Sequence, residues 1–218
     1  MNNYVKALLI NGLIVATTVT AVYGLSLLPK KSSNLEVKKE IQVSKKAPLF
    51  TGTDSYGKEQ SLDQYKGKIV VLEWTNHKCP FVRKFYRSGY MQTLQKEYTD
   101  QGIVWLSIIS SAPGKQGHVS GEECHDIIKK EQSYATAVIL DEQGDIGRLY
   151  QAKTTPYMVI IDEEGELRYR GAIDSIRSAD STDITKATNY VKDSIMRLRK
   201  NLPIEVKETS SYGCSVKY

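Results

Sequence analysis

Short apolar runs alternate with amphipathic stretches along the chain, which predicts strands alternating with helices. Four runs are apolar and rich in β-branched residues, as buried strands are, at 69–74, 103–109, 137–140 and 157–161. A turn after the fourth leads into an antiparallel neighbour, 167–171. Helical spacing predicts helices over about 80–98, 120–131 and 182–199. The order βαβαβ, then a hairpin, then a helix predicts an α/β fold with a mixed central sheet and helices on both faces.

Local signals mark the ends of these elements. Pro80 suits the first position of a helix, and the stretch from Ser120 to Glu123 matches a capping box. Residues 50–68 combine Gly-containing turns with a short helix start, which predicts a hairpin and one helical turn. Residues 110–117 are a loop by their Gly and Pro content. Pro156 belongs at the beginning of its strand, because proline is disfavoured in the middle of a sheet.

The N-terminus differs from the rest of the chain. The stretch from Ala7 to Pro29 carries no charge, and it is long enough to cross a bilayer, which takes roughly 20 residues. We interpret 1–29 as a membrane-directed segment, either a cleaved signal peptide or a retained anchor, and 30–46 as a polar linker. Lysines on both sides leave the orientation of an anchor open, including one that faces the cytoplasm. The folded domain is expected at 47–200, followed by a tail at 201–218.

Composition narrows the class of protein. Of 218 residues, 40% are hydrophobic and 25% charged, which indicates one globular domain that folds in water. The net charge of +5 is mild, and its cations are scattered without interleaved aromatics, so a nucleic-acid partner is not expected. No cofactor is predicted.

The cysteines carry the candidate chemistry. Cys79, Cys124 and Cys214 are too few and too far apart for a disulfide framework, and no C-x-x-C pair suggests zinc. An odd number of cysteines leaves at least one free thiol. Cys124 is interpreted as a helix residue without a redox role, although such a role stays open.

Cys79 stands directly before Pro80, and therefore at a helix start. Unpaired backbone N–H groups and the helix dipole stabilise a thiolate there, and three cations lie nearby, namely Lys78, Arg83 and Lys84. A lowered pKa makes the sulfur nucleophilic, as attack on a disulfide or a peroxide requires. The alternative of an inert buried cysteine stays open.

These residues resemble a known superfamily. The stretch from Trp74 to Val82, followed by Thr155 and Pro156, is similar to the thioredoxin superfamily. The opening at 50–74 and the insertion at 110–117 resemble its redoxin branch, the alkyl hydroperoxide reductase and thiol-specific antioxidant relatives. The resemblance covers about 47–199 and implies a three-layer thioredoxin-like fold. It also implies that Cys79 is the attacking thiol and that Pro156 is cis and faces it.

The chain departs from the family pattern at several positions. Val82 replaces the usual second cysteine, which excludes the ordinary dithiol mechanism at this motif. Leu72 and Asn76 occupy positions where peroxiredoxins carry Pro and Thr. Asn76 is expected to donate a hydrogen bond to the substrate, and Arg83 or Arg170 to hold a thiolate or peroxide anion.

The tail supplies a candidate resolving thiol. Its end, 212–218, resembles the tail of bacterial peroxiredoxin-like proteins, and its Gly-containing segment would let Cys214 reach Cys79. The alternative is a loose free thiol.

We therefore predict a thiol-dependent oxidoreductase of peroxiredoxin-like type in the bacterial cell envelope, periplasmic or membrane-anchored. Cys79 attacks a peroxide or a protein disulfide, Cys214 resolves it, and an unidentified thiol donates electrons. The alternatives are a redox sensor or a copper-binding module in which His77 and Cys79 bind the ion with His118 or His125, and a scaffold that has lost its chemistry.

Overall fold

The computed structural model describes residues 41–218, which belong to one compact unit. Its strands are β1 (Thr51–Thr53), β2 (Glu59–Ser61), β3 (Val70–Trp74), β4 (Val104–Ile109), β5 (Ala137–Leu140), β6 (Thr154–Thr155), β7 (Tyr157–Ile161), β8 (Leu167–Gly171) and β9 (Cys214–Ser215). Its helices are α1 (Pro80–Arg87), α2 (Tyr90–Thr99), α3 (Gly121–Glu131), α4 (Asp145–Leu149) and α5 (Tyr190–Arg199). Two 3-10 turns lie at Leu62–Tyr65 and Ser181–Asp183.

A five-stranded mixed sheet forms the centre, in the order β5-β4-β3-β7-β8. β3, β4 and β5 run parallel, whereas β7 is antiparallel to both β3 and β8. β3, β4 and β7 are buried along their whole length, because layers cover both faces of the sheet; this explains their continuous apolar sequences. The predicted α/β class, with a mixed sheet and helices on both faces, is confirmed.

Each face of the sheet has its own core. On one face, α1, α2 and α5 pack on alternate strand residues that include Val71, Trp105 and Ile160. On the other face, α4 and the segment before β3 pack on Leu72, Leu106 and their neighbours. α3 adds a smaller cluster on the first face, at the β5 edge. Cys79 belongs to the first core, so the candidate thiol lies inside the packed structure.

Several predicted elements match the structure, and others need correction. The strands 137–140, 157–161 and 167–171 and the capping box at Ser120 are found as predicted. The single helix predicted over 80–98 is two helices, because Gly89 adopts φ +75 between them. The predicted helix 182–199 begins only at Tyr190, capped by Asn189. α4, β6 and β9 were not predicted.

Both flanks of the predicted domain pack against it. Ser44 donates its backbone N–H to Leu167 on β8, at 2.7 Å. At the other end, Thr209 donates its N–H to Arg170 at 3.1 Å, and the tail goes on to form β9. The compact unit is therefore larger than 47–200, and the described part of the predicted linker belongs to it. The membrane-directed segment predicted at 1–29 lies outside the described residues. Within 41–218, no helix is long and apolar enough to cross a membrane.

Candidate functional site

Cys79 caps the N-terminus of α1. Its extended backbone (φ −75, ψ 124) precedes Pro80, the first residue of the helix. Its carbonyl accepts hydrogen bonds from the N–H groups of Val82, at 3.1 Å, and Arg83, at 2.9 Å. The side chain has no exposed surface. The predicted placement of this thiol at a turn from strand to helix is therefore what the structure shows.

The loop before β7 meets Cys79 from the other side. The peptide bond between Thr155 and Pro156 is cis, and the carbonyl oxygen of Thr155 lies 3.2 Å from the Cys79 sulfur, which donates to it in the thiol form. The buried hydroxyl of Thr155 has no hydrogen-bond partner within the described residues. It is thus available to donate to the sulfur in the thiolate form.

The C-terminal tail brings Cys214 to the same place. Thr155 on β6 pairs with Cys214 on β9 in an antiparallel ladder, and Cys214 packs against the core cluster that contains Cys79. Residues distant in sequence therefore come together as a pair of free thiols. The sequence suggested that a mobile tail would reach back, but the structure shows a docked one.

A buried ion pair anchors the tail just before Cys214. Tyr212 donates its hydroxyl hydrogen bond to Asp174, and Asp174 pairs with Lys84 at 3.0 Å with both side chains buried. The rings of Phe81 and Tyr212 meet edge to face at 5.9 Å. Gly213 follows with φ +126, and a Cβ there would overlap the Thr155 carbonyl. Only glycine permits this close crossing of the two backbones.

The tail stays docked beyond Cys214 as well. Val216 donates its N–H to Lys153 at 3.0 Å, and Lys217 accepts from Ala112 at 2.8 Å. The hydroxyl of Tyr218 donates to the Ala152 carbonyl at 2.7 Å. Contacts on both sides therefore hold Cys214 in position.

The pKa values of the two thiols shift in opposite directions. Burial alone would raise the pKa of Cys79, but hydrogen bonds from the Cys214 thiol, the Thr155 side chain and the N–H groups of Val82 and Cys214 lower it below its ordinary value. The contact with the Thr155 carbonyl favours the thiol and opposes this shift without reversing it. Burial and the neighbouring Cys79 thiolate raise the pKa of Cys214 to about 11. Cys79 is therefore the more acidic thiol of the pair.

The family can be identified at this point. The family model described as AhpC/TSA matches residues 43–170, a range that includes Cys79, Thr155 and Pro156. The chain belongs to the AhpC/TSA family. The predicted membership of the redoxin branch of the thioredoxin superfamily is confirmed.

Curated relatives agree with this assignment. The thiol-disulfide oxidoreductase ResA of Bacillus thuringiensis subsp. konkukian is 25% identical over 131 residues, which cover 59% of this chain and 68% of that protein. The probable glutathione peroxidase 5 of Arabidopsis thaliana is 35% identical over 81 residues, 35% of this chain and 43% of that protein. The predicted enzyme class, a thiol oxidoreductase, is confirmed at this level.

Solved structures share the fold. An uncharacterised conserved protein from Geobacillus kaustophilus superposes with a TM-score of 0.72 at 23% identity, covering 83% of this chain and 94% of that one. A hypothetical protein from Sinorhizobium meliloti 1021 superposes with a TM-score of 0.67 at 20% identity, covering 82% and 96%. At these identities the likeness concerns the fold alone.

In this AhpC/TSA protein, Asn76 is a scaffold for the loop before Cys79. Its side-chain amide donates to the Gln116 carbonyl at 3.2 Å, and its oxygen accepts from the N–H of Lys78 at 2.9 Å. A Cβ on Gly117 would lie 2.6 Å from the Asn76 side chain. The groups expected to bind substrate are therefore used to join residues 110–117 to the helix start.

The charges of the two predicted anion-binding arginines act on carboxylates. Burial raises the pKa of Glu131 to about 7, and the positive charge of Arg83 is among the influences that oppose this shift. Arg170 forms an ion pair with Glu208 at 2.8 Å. Lys84, which we expected to act on Cys79, is paired within the tail anchor. Hydrogen bonds account for the lowered Cys79 pKa, and the cations do not.

A buried carboxylate near the centre of the sheet was missed by the sequence reasoning. Glu73 on β3 is fully buried and accepts hydrogen bonds from Trp105, Ser107, Tyr86 and other donors at 2.8 to 3.3 Å. Burial raises its pKa. The signal was a lone acidic residue inside an apolar strand, where an ionised carboxylate is costly unless it is hydrogen-bonded.

The remaining thiol and two of the three histidines have contacts of their own. Cys124 is buried on α3 in a separate cluster, and burial raises its pKa. His118 pairs with Glu142 at 3.0 Å, and His125 stacks on a tyrosine ring. Among residues 41–218, no three His, Cys, Asp or Glu side chains are grouped so that they could hold a metal ion.

Proposed function

We propose that the protein is a thiol–disulfide oxidoreductase whose working redox pair is Cys79 and Cys214. The observation that carries this proposal is the pairing of Thr155 with Cys214, which brings the second thiol to the first. The name of the ResA relative supports the class of reaction. The tail thus supplies a second cysteine, which the helix motif lacks because Val82 occupies its usual position.

The proposed oxidation runs in two steps. The Cys79 thiolate attacks one sulfur of a disulfide, so that a mixed disulfide forms and the other substrate sulfur leaves as a thiolate. Cys214 then loses its proton and attacks the Cys79 sulfur, which forms the Cys79–Cys214 disulfide and releases the remaining substrate thiolate. The substrate gains two electrons and the pair loses two. A thiol electron donor of unknown identity restores the reduced pair.

The protonation states favour this order of events. Cys79 has the lower pKa and therefore supplies the nucleophile. Cys214 holds its proton while Cys79 is a thiolate, because the two charges repel each other. Once Cys79 has reacted, that charge is gone and Cys214 loses its proton more easily. The resolving thiol is therefore activated by the first step.

A peroxide is the second candidate oxidant. The observation that favours it is the lack of exposed surface on Cys79, because a small oxidant needs a smaller opening of the tail to reach the sulfur than a protein disulfide does. Cys79 would take one peroxide oxygen as a sulfenic acid and release an alcohol or water, and Cys214 would then displace the sulfenic acid oxygen as water while the disulfide forms. The similarity to a probable glutathione peroxidase supports this candidate over 81 residues.

One experiment tests both candidates. The reduced Cys124→Ser variant is treated with equimolar hydrogen peroxide or hydroxyethyl disulfide, and the products are mapped by intact mass and peptide mass spectrometry. We expect a Cys79–Cys214 disulfide, formed faster than a model thiol is oxidised. In a matched Cys214→Ser variant, Cys79 should instead retain a sulfenic acid or a mixed disulfide. Oxidation of Cys79 at the rate of a model thiol contradicts the proposal, and the faster oxidant identifies the substrate class.

The location is also a proposal. We place the domain in the bacterial cell envelope, because the uncharged stretch from Ala7 to Pro29 precedes it. To test this placement, residues 1–46 are fused to a reporter that is active only outside the cytoplasm and, separately, to one that is active only inside it. Activity of the first reporter is expected, and activity of the second alone contradicts the placement.

A further inference from the structure

The two cysteines of the proposed pair differ in their exposure to solvent. Cys79 has no exposed surface, whereas Cys214 is partly exposed and its neighbour Ser215 is exposed. Thiol–disulfide exchange requires the attacking thiolate to reach the sulfur along the S–S axis, so access decides which sulfur is attacked. In the docked structure, Cys214 is therefore the more accessible cysteine of the two.

Residues 212–214 of the tail form the cover over Cys79, and contacts that do not involve the thiols hold this cover in place. Tyr212 holds it from one side through the buried Asp174, and the Gly213 backbone crosses directly over the Thr155 carbonyl. A disulfide between Cys79 and Cys214 adds a covalent link to the same arrangement. Cys79 is therefore most strongly shielded in the oxidised state, which is the state that an electron donor must reduce.

We infer that the thiol electron donor attacks Cys214, and not Cys79, in the oxidised protein. This inference rests on the proposed function, because it requires the Cys79–Cys214 disulfide. The donor thiolate forms a bond to the Cys214 sulfur, the bond between the two cysteines breaks, and Cys79 leaves as a thiolate. A second donor thiol then attacks the donor sulfur of the mixed disulfide and releases Cys214, which takes up a proton. The pair gains two electrons, and two donor thiols become a disulfide.

The charges around the two sulfurs agree with this direction of attack. The ammonium group of Lys217 donates to the Ser215 hydroxyl at 2.9 Å, and its charge acts on Cys214. A cation therefore lies near Cys214, the residue that the donor thiolate is proposed to attack. The hydrogen bonds from the Thr155 side chain and from the N–H groups of Val82 and Cys214 do not need the Cys214 thiol, so they also make Cys79 the better leaving group, since a thiol of lower pKa leaves faster.

The test maps the mixed disulfide. The Cys124→Ser protein is oxidised, confirmed to contain the internal disulfide, mixed with glutathione and quenched in acid at early times. After alkylation, trypsin places the cysteines in separate peptides, 79–83 and 208–217. We expect the glutathione adduct on 208–217, and an adduct on 79–83 overturns the inference. If no internal disulfide forms, the proposed function itself fails.

A second measurement decides the case in which the adduct is too short-lived to map. The rate of reduction is compared for 2-mercaptoethanol, glutathione and a small protein with one exposed thiol, each corrected for its thiolate fraction. Attack at the exposed sulfur predicts rates that agree within about tenfold. A fall of roughly 100-fold or more from the smallest thiol to the protein thiol would mean attack at the buried sulfur. Replacement of Lys217 by Gln should slow reduction by the anionic glutathione more than reduction by the neutral 2-mercaptoethanol. An equal effect on both rates contradicts the proposed role of the Lys217 charge.

Discussion

Replacement of Gly213 by alanine should open the cover over Cys79. A Cβ at this position overlaps the Thr155 carbonyl oxygen, a backbone atom that cannot swing aside, and the φ of +126 is itself unfavourable for alanine. The strained backbone costs about 1 kcal/mol or more, and the overlap pushes β9 away from β6 in the docked state, which weakens ladder hydrogen bonds worth about 1 kcal/mol each. Undocking should therefore become easier by about 3 kcal/mol, which is roughly 100-fold in the open population.

The assay is the rate at which iodoacetamide alkylates Cys79. A covered thiol reacts only from the open state, so its rate follows the open population until the tail is mostly undocked. In a Cys124→Ser background, Gly213→Ala should raise the Cys79 rate by roughly 100-fold, or up to the rate of a model thiol. Gly57→Ala is the matched control, because Gly57 also has a positive φ, +75, but nothing within 4 Å of its added Cβ. An unchanged Cys79 rate in Gly213→Ala, or an equal rise in the control, would refute the reasoning.

Three further perturbations address the anchor, the thiolate and a buried acid. Tyr212→Phe removes a buried hydrogen bond to a carboxylate, so the free energy of unfolding, measured with denaturant, should fall by about 1.5 to 3 kcal/mol. Tyr212→Phe should also speed the alkylation of Cys79, whereas the control Tyr65→Phe, away from the tail, should leave that rate unchanged. Cys214→Ala removes a hydrogen bond that lowers the pKa of Cys79, so the midpoint of the alkylation rate against pH should move upward; an unmoved midpoint contradicts the pairing. Burial raises the pKa of Glu131 to about 7, so the folded state keeps a proton that the unfolded state loses, and stability should fall as pH rises from about 4.5 to 7. Glu131→Gln should flatten that fall in denaturant titrations at several pH values, and an identical slope would contradict it.

The strands were predictable because their signals are local. β5, β7 and β8 begin and end where apolar runs meet turn residues, and the capping box at Ser120 depends on residues three apart. The break at Gly89 was missed because Phe85 and Leu94, on either side of it, pack on the same core, so the apolar spacing continues across the break. α4 has only five residues, too few to show a periodic pattern.

The roles of several side chains were less predictable, because they depend on partners far away in the sequence. Lys84 and Arg83 are near Cys79 along the chain, yet a helix turns successive side chains in different directions. Lys84 therefore reaches Asp174, and the charge of Arg83 acts on Glu131. Asn76 was expected to face the substrate, but its amide meets the loop at Gln116. Sequence proximity to the thiol was a poor guide to electrostatic influence on it.

The sequence by itself determined the α/β class, the family and the position of Cys79 at the start of a helix. These follow from periodicity and from a motif whose residues are adjacent in the chain. Only the tertiary structure decided that the tail is docked, that Cys214 pairs with Thr155, and that Cys79 is the covered sulfur of the two. The physical reason is that docking depends on a buried ion pair, a tyrosine hydroxyl and a glycine crossing, contributed by segments that meet only when the chain has folded.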